Sequence, residues 1–313
     1  MAIFSVSVGV VGRSKGRQVC AAAAYQARTP IFDERQGIRF QYSNRDGEEL
    51  LAAEILRPAE APPWDRQMLW NMAERVERRK DAQTARTIRL ALPRELALDQ
   101  MLALLRDFLK VQFVDRGLAV DFAIHDKTAA DGGRQPHAHV LVSLRRLSPE
   151  GFCNKKDRTT FCGPRQLIHF RAEWAAAANQ ALLTAGHDCY IDFRSLADQR
   201  RCVESMIADP TVTNEDRRTL AAALHRLSRR PEPKVPACDW QHARRKGELP
   251  PDVRSARVDA QRASIEADKL YTLLRERDLV REKPDRPEQM QSDPKILEEA
   301  DTEALAWTAP KPR

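Results

Sequence analysis

The sequence predicts an α+β protein built on an antiparallel β-sheet with helices packed against one face. Apolar residues alternate with Ser and Gly over residues 4–10, which is the period of two that a strand requires. Apolar residues recur at helical spacing over 97–114. Two further strands, 118–125 and 137–144, are joined by a polar, Gly-rich loop that suits an antiparallel return. The order strand, helix, strand, helix, strand, strand indicates a single sheet with packed helices.

The remaining elements follow from local composition, in chain order. A basic turn over 13–17 leads from the first strand into an alanine-rich helix, 19–28, which ends before Thr29-Pro30. Gly37 and Gly47 interrupt a polar stretch and predict a hairpin. The later elements are a helix from Pro62-Pro63 through Val76, a strand over 87–92 stopped by Pro93, and a helix over 166–183.

Composition divides the chain into three predicted parts. Residues 1–195 carry the strands and the apolar helices and form the predicted main domain. Residues 196–280 form a charged helical extension, with helices expected over 196–230 and 253–280. Residues 281–313 are rich in Pro, Glu, Asp and Lys, which predicts a disordered tail.

Charge permits a nucleic-acid partner without establishing one. Lys and Arg number 52 against 45 Asp and Glu in 313 residues, a net charge of +7 that is compatible with a polyanion. The six cysteines show no C-x-x-C spacing, which argues against a zinc ribbon or a disulfide framework. No segment approaches the roughly 20 apolar residues of a membrane span, and the first strand lacks signal-peptide features. We therefore expect a soluble, cytoplasmic protein without membrane insertion.

Three histidines lie at the ends of the two predicted neighbouring strands. His137 and His139 are two residues apart and therefore point to the same side of their strand. His125 ends the preceding strand, and an antiparallel return brings it alongside the other two. Three neutral imidazoles bind a divalent metal and leave positions for phosphate oxygens. The alternative is an accidental or structural H-x-H pair, which the third histidine disfavours.

The identity of the nucleophile determines whether such a site hydrolyses a phosphodiester with water or transfers a DNA strand to a protein side chain. Tyr25 lies on the alanine-rich helix, where small neighbours allow a DNA backbone to approach, and it follows the basic turn. A phenol, whose ordinary pKa is about 10, attacks phosphorus only when a metal polarises the phosphoryl group and a base or cation favours the phenolate. The product is a 5′-phosphotyrosyl ester. A tyrosine on a helix is more often a packing residue, so the residues alone leave the nucleophile open.

Seven segments together resemble the MobA/MobL family of plasmid mobilisation relaxases, over residues 1–150. They are AAAAYQAR around Tyr25, DERQG at 33–37, RKDAQ at 79–83, ALPREL at 91–96, FVDRG at 113–117, AIHD at 123–126 and PHAHVLVS at 136–143. The resemblance implies the HUH-endonuclease fold, with the metal-binding histidines on the sheet. It also implies Mg or Mn as the metal, cleavage of one strand at a bacterial plasmid's origin of transfer and covalent attachment through Tyr25. By analogy it implies single-stranded origin DNA, relaxosome accessory proteins and a secretion coupling protein as partners.

Two departures from the family pattern accompany this resemblance. Relatives tend to carry acidic residues in the strand before ALPREL, where this chain has Thr87 and Arg89. A histidine often stands where this chain has Phe193. If a missing acid assists the tyrosine or the metal, activity here is weakened or redistributed.

Three alternatives to a relaxase remain at this point. A catalytically impaired accessory protein would bind origin DNA without forming an adduct. A rolling-circle replication initiator would share the metal and the tyrosine, although the family motifs argue against it. A metallohydrolase would use water and dispense with Tyr25.

Two basic runs flank the expected site and are the predicted contacts to single-stranded DNA. The first comprises Arg13, Lys15 and Arg17, and the second comprises Lys155, Lys156 and Arg158. Each run is otherwise typical of a solvated surface, and only its position beside the site favours DNA.

Overall fold

A computed structural model describes residues 4–43, 48–129, 132–158, 163–233 and 235–276. The predicted tail, 281–313, lies outside the described residues. Within the described part, contacts divide the chain into two compact units, the first ending at Phe193 and the second beginning at Arg194.

The first unit combines strands and helices in alternation. Its strands are β1 (Val6–Gly12), β2 (Ile31–Asp33), β3 (Ile38–Phe40), β4 (Glu48–Leu56), β5 (Gln83–Ala91), β6 (Leu118–Lys127), β7 (His137–Ser148) and β8 (Gly151–Lys156). Its α-helices are α1 (Val19–Ala27), α2 (Arg66–Arg75), α3 (Leu98–Gln112) and α4 (Pro164–Thr184). The predicted helices over 19–28, 97–114 and 166–183 therefore form, with ends that shift by a few residues.

One antiparallel sheet organises the first unit. Its strand order is β1-β5-β7-β6-β4, and β8 pairs with the far end of β7. β2 and β3 form a separate hairpin around Gly37, whose φ of 67° is a conformation that glycine adopts without strain. The predicted antiparallel sheet is confirmed, and the hairpin turns at Gly37, whereas Gly47 lies outside the described residues.

Helices cover both faces of this sheet, so the expectation that they pack on one face was wrong. On one face, α3 and α4 bury a cluster that includes Phe108, Trp174 and Phe122. On the other, α1 and α2 bury a cluster that includes Ala23 and Trp70. The physical reason lies in β6, where every residue from Leu118 to His125 is buried. A strand that is buried on both sides needs a layer on each.

β4 and β8 are strands that the sequence did not reveal. β4 has the sequence EELLAAEIL, whose contiguous apolar residues lack the alternation of a half-exposed strand. Its pairing with β6 shifts register between Leu50 and Ala52, so a local bulge further masks the period. β4 nevertheless lies at one end of the strand order β1-β5-β7-β6-β4. Its pairing with β6 brings its first residue, Glu48, towards the end of that strand.

Arg13, one of the predicted DNA contacts, is engaged by protein groups. Its guanidinium lies 2.6 Å from the Glu74 carboxylate and donates to the backbone carbonyls of Glu74, Glu77 and Arg79 at 2.9, 2.9 and 2.7 Å. The Arg13 and Glu74 side chains are only 7% and 1% exposed. The pair holds the turn before α1 against the end of α2, and its donors are not available to phosphate.

The second unit is helical in its described residues. It contains α5 (Leu196–Ala208), α6 (Asn214–Leu227), α7 (Ala237–Arg245) and α8 (Pro251–Glu276). Ser195 and Thr213 cap the first two helices by accepting from the backbone N–H groups of Asp198 and Asp216. The helical prediction for 196–230 holds as two helices, and that for 253–280 corresponds to α8. None of the helices in the described part of the chain combines the length and apolar character that crossing a bilayer demands.

Arg13→Ala should destabilise the first unit by about 3 kcal/mol, because among the described residues it leaves the buried Glu74 carboxylate with the half-exposed Arg35 as its one ionic partner. Lys15→Ala, an exposed lysine in the same turn, is the matched control and should change stability by less than about 0.5 kcal/mol. Urea unfolding followed by circular dichroism measures both. Equal stability of the two variants would contradict the structural role of Arg13.

Candidate metal and nucleophile site

The register between β6 and β7 brings the three predicted histidines together. His125 lies directly opposite His137, and His139 follows two residues later on the same face of β7. The ring centroids are 5.8 Å apart for His125 and His137, 4.7 Å for His125 and His139, and 5.0 Å for His137 and His139. The three imidazoles therefore form one cluster on the sheet face that carries α1.

Backbone carbonyls outside the cluster orient two of the rings. His125 Nε2 lies 2.6 Å from the carbonyl oxygen of Gln26, and His137 Nδ1 lies 3.1 Å from that of Gln135. A carbonyl only accepts, so each of these ring nitrogens carries the proton and donates it. When such a ring is neutral, its other nitrogen has a lone pair. This is the arrangement by which outer partners fix the tautomer of metal-binding histidines.

The inward-facing nitrogens fit a metal. His125 Nδ1 and His139 Nε2 are buried and have no hydrogen-bond partner among the described residues. A buried nitrogen without a partner is costly unless something else takes its lone pair. One ligand atom from each of four residues, the three histidines and Glu48, lies within 4.8 Å of all the others. A divalent cation would satisfy these nitrogens.

Glu48 belongs to the cluster, and sequence reasoning missed it. Its Oε2 lies 3.1 Å from His125 Nδ1, and its Oε1 lies 3.0 Å from His137 Nε2. The signal that would have found it is weak. Glu48 is a single acidic residue at the start of β4, and the apolar residues of β4 do not alternate as a strand pattern requires.

Burial and neighbouring groups shift the pKa values of the clustered side chains towards the protonation states that bind a metal. Burial would raise the pKa of Glu48, but His125 and its neighbouring imidazoles together lower it to about 2. Burial, reinforced by His125 and His137, lowers the pKa of His139 to about 3. Burial also lowers the pKa of His137. At neutral pH the carboxylate is therefore ionised and these two imidazoles are neutral, which is the protonation that metal binding requires.

Tyr25 reaches the same cluster from the last turn of α1. Its ring centroid lies 6.2 Å from that of His125 and 6.0 Å from that of His139. Its hydroxyl donates to Glu48 Oε2 at 3.2 Å, and the Arg28 guanidinium lies 4.4 Å from its ring centroid. Burial and the Glu48 charge raise the pKa of Tyr25, while Arg28 acts in the opposite sense. The phenol is thus protonated in this arrangement and stands beside a cation that favours its ionised form.

Local features of α1 set the position of Tyr25. Ala23 and Ala24 are fully buried, and such small side chains let the helix lie close to the sheet. The Gln26 amide donates to the backbone carbonyl of Asp121 on β6 at 3.0 Å. Arg28 ends the helix in a left-handed conformation with φ of 51°, which is uncommon for a residue with a side chain. That conformation accompanies the 2.9 Å contact of Arg28 with Glu48.

A cleft of ≈ 490 Å³ opens beside Tyr25 and His139. Arg17, Tyr42 and Thr87 line it together with small residues of α1. Tyr42 meets Tyr25 edge-on, with 5.7 Å between ring centroids. Arg89, which with Thr87 departs from the family pattern, is exposed and lies opposite His139 in the register of β5 and β7.

The predicted DNA contacts divide into exposed and engaged residues. Lys15, Arg17, Lys155 and Arg158 are exposed. Lys156 is partly engaged, because its ammonium contacts the Glu77 carboxylate at 2.9 Å and donates to the Gln83 carbonyl at 2.7 Å. Lys156, like Arg13, is thus engaged by protein groups, and its contact with DNA stays a prediction. Both residues pair with acids that local sequence does not reveal.

Comparison with known proteins identifies relatives for this arrangement. A model described as the MobA/MobL family matches residues 17–208, which include Tyr25 and the three clustered histidines. The conjugal transfer protein TraA of Agrobacterium fabrum is 36% identical over 168 residues, covering 50% of this chain and 15% of TraA. The mobilization protein MobL of Acidithiobacillus ferridurans is 32% identical over 239 residues, covering 67% of this chain and 61% of MobL. The chain thus spans less than two thirds of the length of either relative.

A solved structure shares the fold. It is described as "Molecular Basis of Vancomycin Resistance Transfer in Staphylococcus aureus", and it is 27% identical to this chain with a TM-score of 0.54. The match covers 62% of this chain and 100% of the solved one. The similarity therefore extends over the whole of that solved chain.

His139→Ala should weaken Mn²⁺ binding by at least about tenfold, because it removes one inward-facing nitrogen of the cluster. His169→Ala is the matched control, since His169 is exposed and pairs with Glu173 on α4. Isothermal titration calorimetry on metal-stripped protein measures both affinities. Mn²⁺ binding that is equally weakened by both substitutions, or by neither, would show that the cluster does not hold the metal.

Proposed function

Since the chain belongs to the MobA/MobL family, we propose that it is a DNA relaxase that nicks and rejoins one strand at a plasmid origin of transfer. Tyr25 is the proposed nucleophile, and a metal held by His125, His137 and His139 is the proposed cofactor. The nick starts conjugative mobilisation of the plasmid. The names of the relatives, a conjugal transfer protein and a mobilization protein, support this assignment.

One observation carries the proposal. Buried imidazole nitrogens that have no hydrogen-bond partner in the described part of the chain lie next to a tyrosine hydroxyl at the mouth of an open cleft. Metallohydrolases need only the nitrogens, whereas strand transfer needs a protein nucleophile beside them. Tyr25 lies about 6 Å from two of the rings, centroid to centroid, and its hydroxyl contacts the carboxylate that touches the other ring.

The donor set indicates a borderline divalent cation, with Mn²⁺ favoured over Mg²⁺. Imidazole nitrogens suit transition metals, whereas Mg²⁺ prefers oxygen ligands and retains water. Bound there, the cation would polarise a phosphoryl oxygen and offset the charge of the transition state. His125, His137 and His139 are the residues that would hold it.

The proposed chemistry is an in-line transesterification. Tyr25 Oη forms a bond to the scissile phosphorus, and the bond from phosphorus to the 3′ oxygen breaks. The phenol gives up its proton, and the departing oxygen gains one to become a 3′ hydroxyl. The 5′-phosphotyrosyl ester conserves the energy of the broken bond, so the reverse attack by a 3′ hydroxyl rejoins the strand. Arg28, at 4.4 Å from the ring, favours the phenolate that attacks.

Single-stranded origin DNA is the proposed substrate, and it would follow the cleft beside Tyr25. Arg17 lines the cleft and Lys15 is exposed in the preceding turn, so both can pair with phosphates. Tyr42 offers an exposed ring on which an unpaired base can stack. Lys155 and Arg158 are the other exposed basic residues assigned to the strand.

Relaxosome accessory proteins and a secretion coupling protein are the partners that this function implies. The bacterial cytoplasm, where plasmid DNA resides, is the proposed place of action. Both inferences follow from the proposed reaction and from the relatives' names.

An origin-binding protein without nicking activity is the second candidate, and Thr87 and Arg89 favour it. Neither residue provides the carboxylate that relatives tend to carry on this strand. Glu48 weighs against that alternative, because it brings a carboxylate to the Tyr25 hydroxyl from β4 instead.

Tyr25→Phe should abolish covalent attachment to origin DNA while leaving DNA affinity within about twofold, because it removes only the attacking oxygen. Labelled single-stranded oligonucleotides that tile the origin region, incubated with Mn²⁺ or Mg²⁺ and resolved on denaturing gels, reveal the adduct. Tyr42→Phe is the matched control, since its ring neighbours Tyr25, and it should retain the adduct.

The other outcomes discriminate among the alternatives. Cleavage that persists in Tyr25→Phe would assign the chemistry to water or to another tyrosine. Binding without cleavage by the unsubstituted protein would favour the non-nicking accessory protein. An adduct that survives EDTA would remove the metal from the mechanism.

Arg17→Ala should reduce the dependence of DNA affinity on salt, because the side chain lines the cleft and would neutralise one phosphate. For single strands, one lost phosphate contact lowers the slope of log K against log salt concentration by about 0.7. Lys110→Ala on α3, beyond the opposite face of the sheet, is the control and should leave the slope unchanged. Fluorescence anisotropy at several salt concentrations measures the slopes, and equal slopes for both variants would exclude this path for the strand.

A further inference from the structure

We propose that Arg89 binds a phosphate of the DNA strand beside the histidine cluster, and that it does so with or without a bound metal. This inference rests on the proposed function, because it adds a substrate contact to the same site. It assigns to β5 a direct part in holding the strand.

The register of the sheet places Arg89 on the face that carries the cluster. Arg89 lies directly opposite His139 in the pairing of β5 with β7. Residues opposed in this way point to the same side, with Cβ atoms about 4.5–5.5 Å apart. Thr87, two residues earlier on the same face of β5, lines the cleft beside Tyr25. Arg89 therefore adjoins both a ring of the cluster and the cleft.

Arg89 is exposed although β5 is an internal strand of the sheet. β5 lies between β1 and β7, and the residues on either side of Arg89, Ile88 and Leu90, are buried in the cluster under α3 and α4. Arg89 points to the opposite face and is exposed there. The sheet is thus open to solvent at this position, and a ligand can reach the guanidinium.

The nearest neighbours of Arg89 on this face provide no carboxylate. Ser7 lies opposite it on β1 and His139 lies opposite it on β7, while Thr87 and Ala91 are two residues away along β5. Within the described part of the chain, no hydrogen bond or ion pair engages the Arg89 side chain. Its N–H donors are therefore available to an anion.

Two other arginines near the cluster already have acidic partners. Arg28 contacts Glu48 at 2.9 Å, and Arg134 contacts Asp126, near the end of β6, at 2.6 Å. Each of these pairs is balanced in charge. Arg89 instead adds one positive charge to the site, which a phosphodiester would neutralise.

The charge of Arg89 acts on the rings of the cluster. Burial is the main cause that lowers the pKa values of His137 and His139, and the Arg89 charge acts in the same sense on both. A phosphate held by Arg89 would therefore lie close to these rings.

The chemistry of the guanidinium fits this ligand. A guanidinium presents a planar fork of N–H donors that matches two oxygens of a phosphate. It has no acceptor and cannot ligate a metal, so its contact with the strand does not require one.

The test measures binding of a single-stranded origin oligonucleotide to the metal-stripped full chain in EDTA, by fluorescence anisotropy at several salt concentrations. Arg89→Gln removes the charge at the site. Arg116→Gln is the matched control, because it removes an exposed arginine in the turn before β6, at the end of that strand remote from His125.

We expect Arg89→Gln to weaken binding about tenfold and to lower the slope of log K against log salt concentration by about 0.7, the loss of one phosphate contact. Arg116→Gln should bind within about twofold of the unsubstituted protein, since charges beyond a Debye length are screened. Equal slopes for the two variants would overturn the proposal. Failure of the unsubstituted protein to bind the oligonucleotide in EDTA would also overturn it.

Arg89→Lys separates the effect of charge from an effect on the fold, which circular dichroism checks for every variant. Lysine keeps the positive charge but loses the fork of donors. We expect Arg89→Lys to retain the slope of the unsubstituted protein and to bind more tightly than Arg89→Gln. A slope reduced as far as that of Arg89→Gln would contradict a role for the charge.

The outcome is distinguishable from a failure of the proposed function, because the measurement needs neither metal nor a nick. Arg89-dependent binding without a Tyr25 adduct in Mn²⁺ would refute the nicking activity alone. A Tyr25 adduct together with binding that does not depend on Arg89 would refute this inference alone.

Discussion

The register of β6 against β7 is the constraint on which the site depends. It sets His125 opposite His137, and the period of two along β7 adds His139 to the same face. A slip of one residue would turn the cluster to the opposite face and place apolar residues beneath α1. The register is fixed because β6 is buried on both faces, with Phe122 and Ile124 in the cluster under α3 and α4. Hydrophobic packing on one side of the sheet therefore determines where the imidazoles lie on the other.

A buried polar network sets the position of α1, and hence of Tyr25, relative to that face. Asp121 on β6 is fully buried and accepts from Arg66 and Trp70 of α2, at 2.9 and 2.8 Å for the shortest contacts. The Asp121 backbone carbonyl accepts from Gln26 on α1, and the Gln26 carbonyl in turn accepts from His125. One residue of α1 thus connects the helix both to the sheet and to a ring of the cluster. A buried hydrogen-bonded network of this kind limits the positions available to Tyr25.

The sequence was informative where local patterns determine structure, and uninformative where distant residues pair. The strands that carry the histidines were predictable because their apolar runs and the H-x-H spacing are local, and the helix of Tyr25 was predictable from its alanines. Glu48 was not, because EELLAAEIL does not alternate and its value lies in pairing with β6. The protein contacts of Arg13 and Lys156 were not predictable, because their partners, Glu74 and Glu77, lie more than 60 residues away in the chain. The second helical layer was missed for the related reason that burial on both faces of β6 is a property of the packed sheet.

If the sheet presents inward-facing imidazole nitrogens to a metal beside Tyr25, anomalous diffraction from crystals soaked in Mn²⁺ will locate that metal. We expect one strong anomalous peak at about 2.0–2.3 Å from His125 Nδ1, His137 Nε2 and His139 Nε2, with the outer nitrogens of His125 and His137 still donating to Gln26 and Gln135. A peak elsewhere on the protein, with the histidine rings unchanged around Glu48, would contradict this expectation.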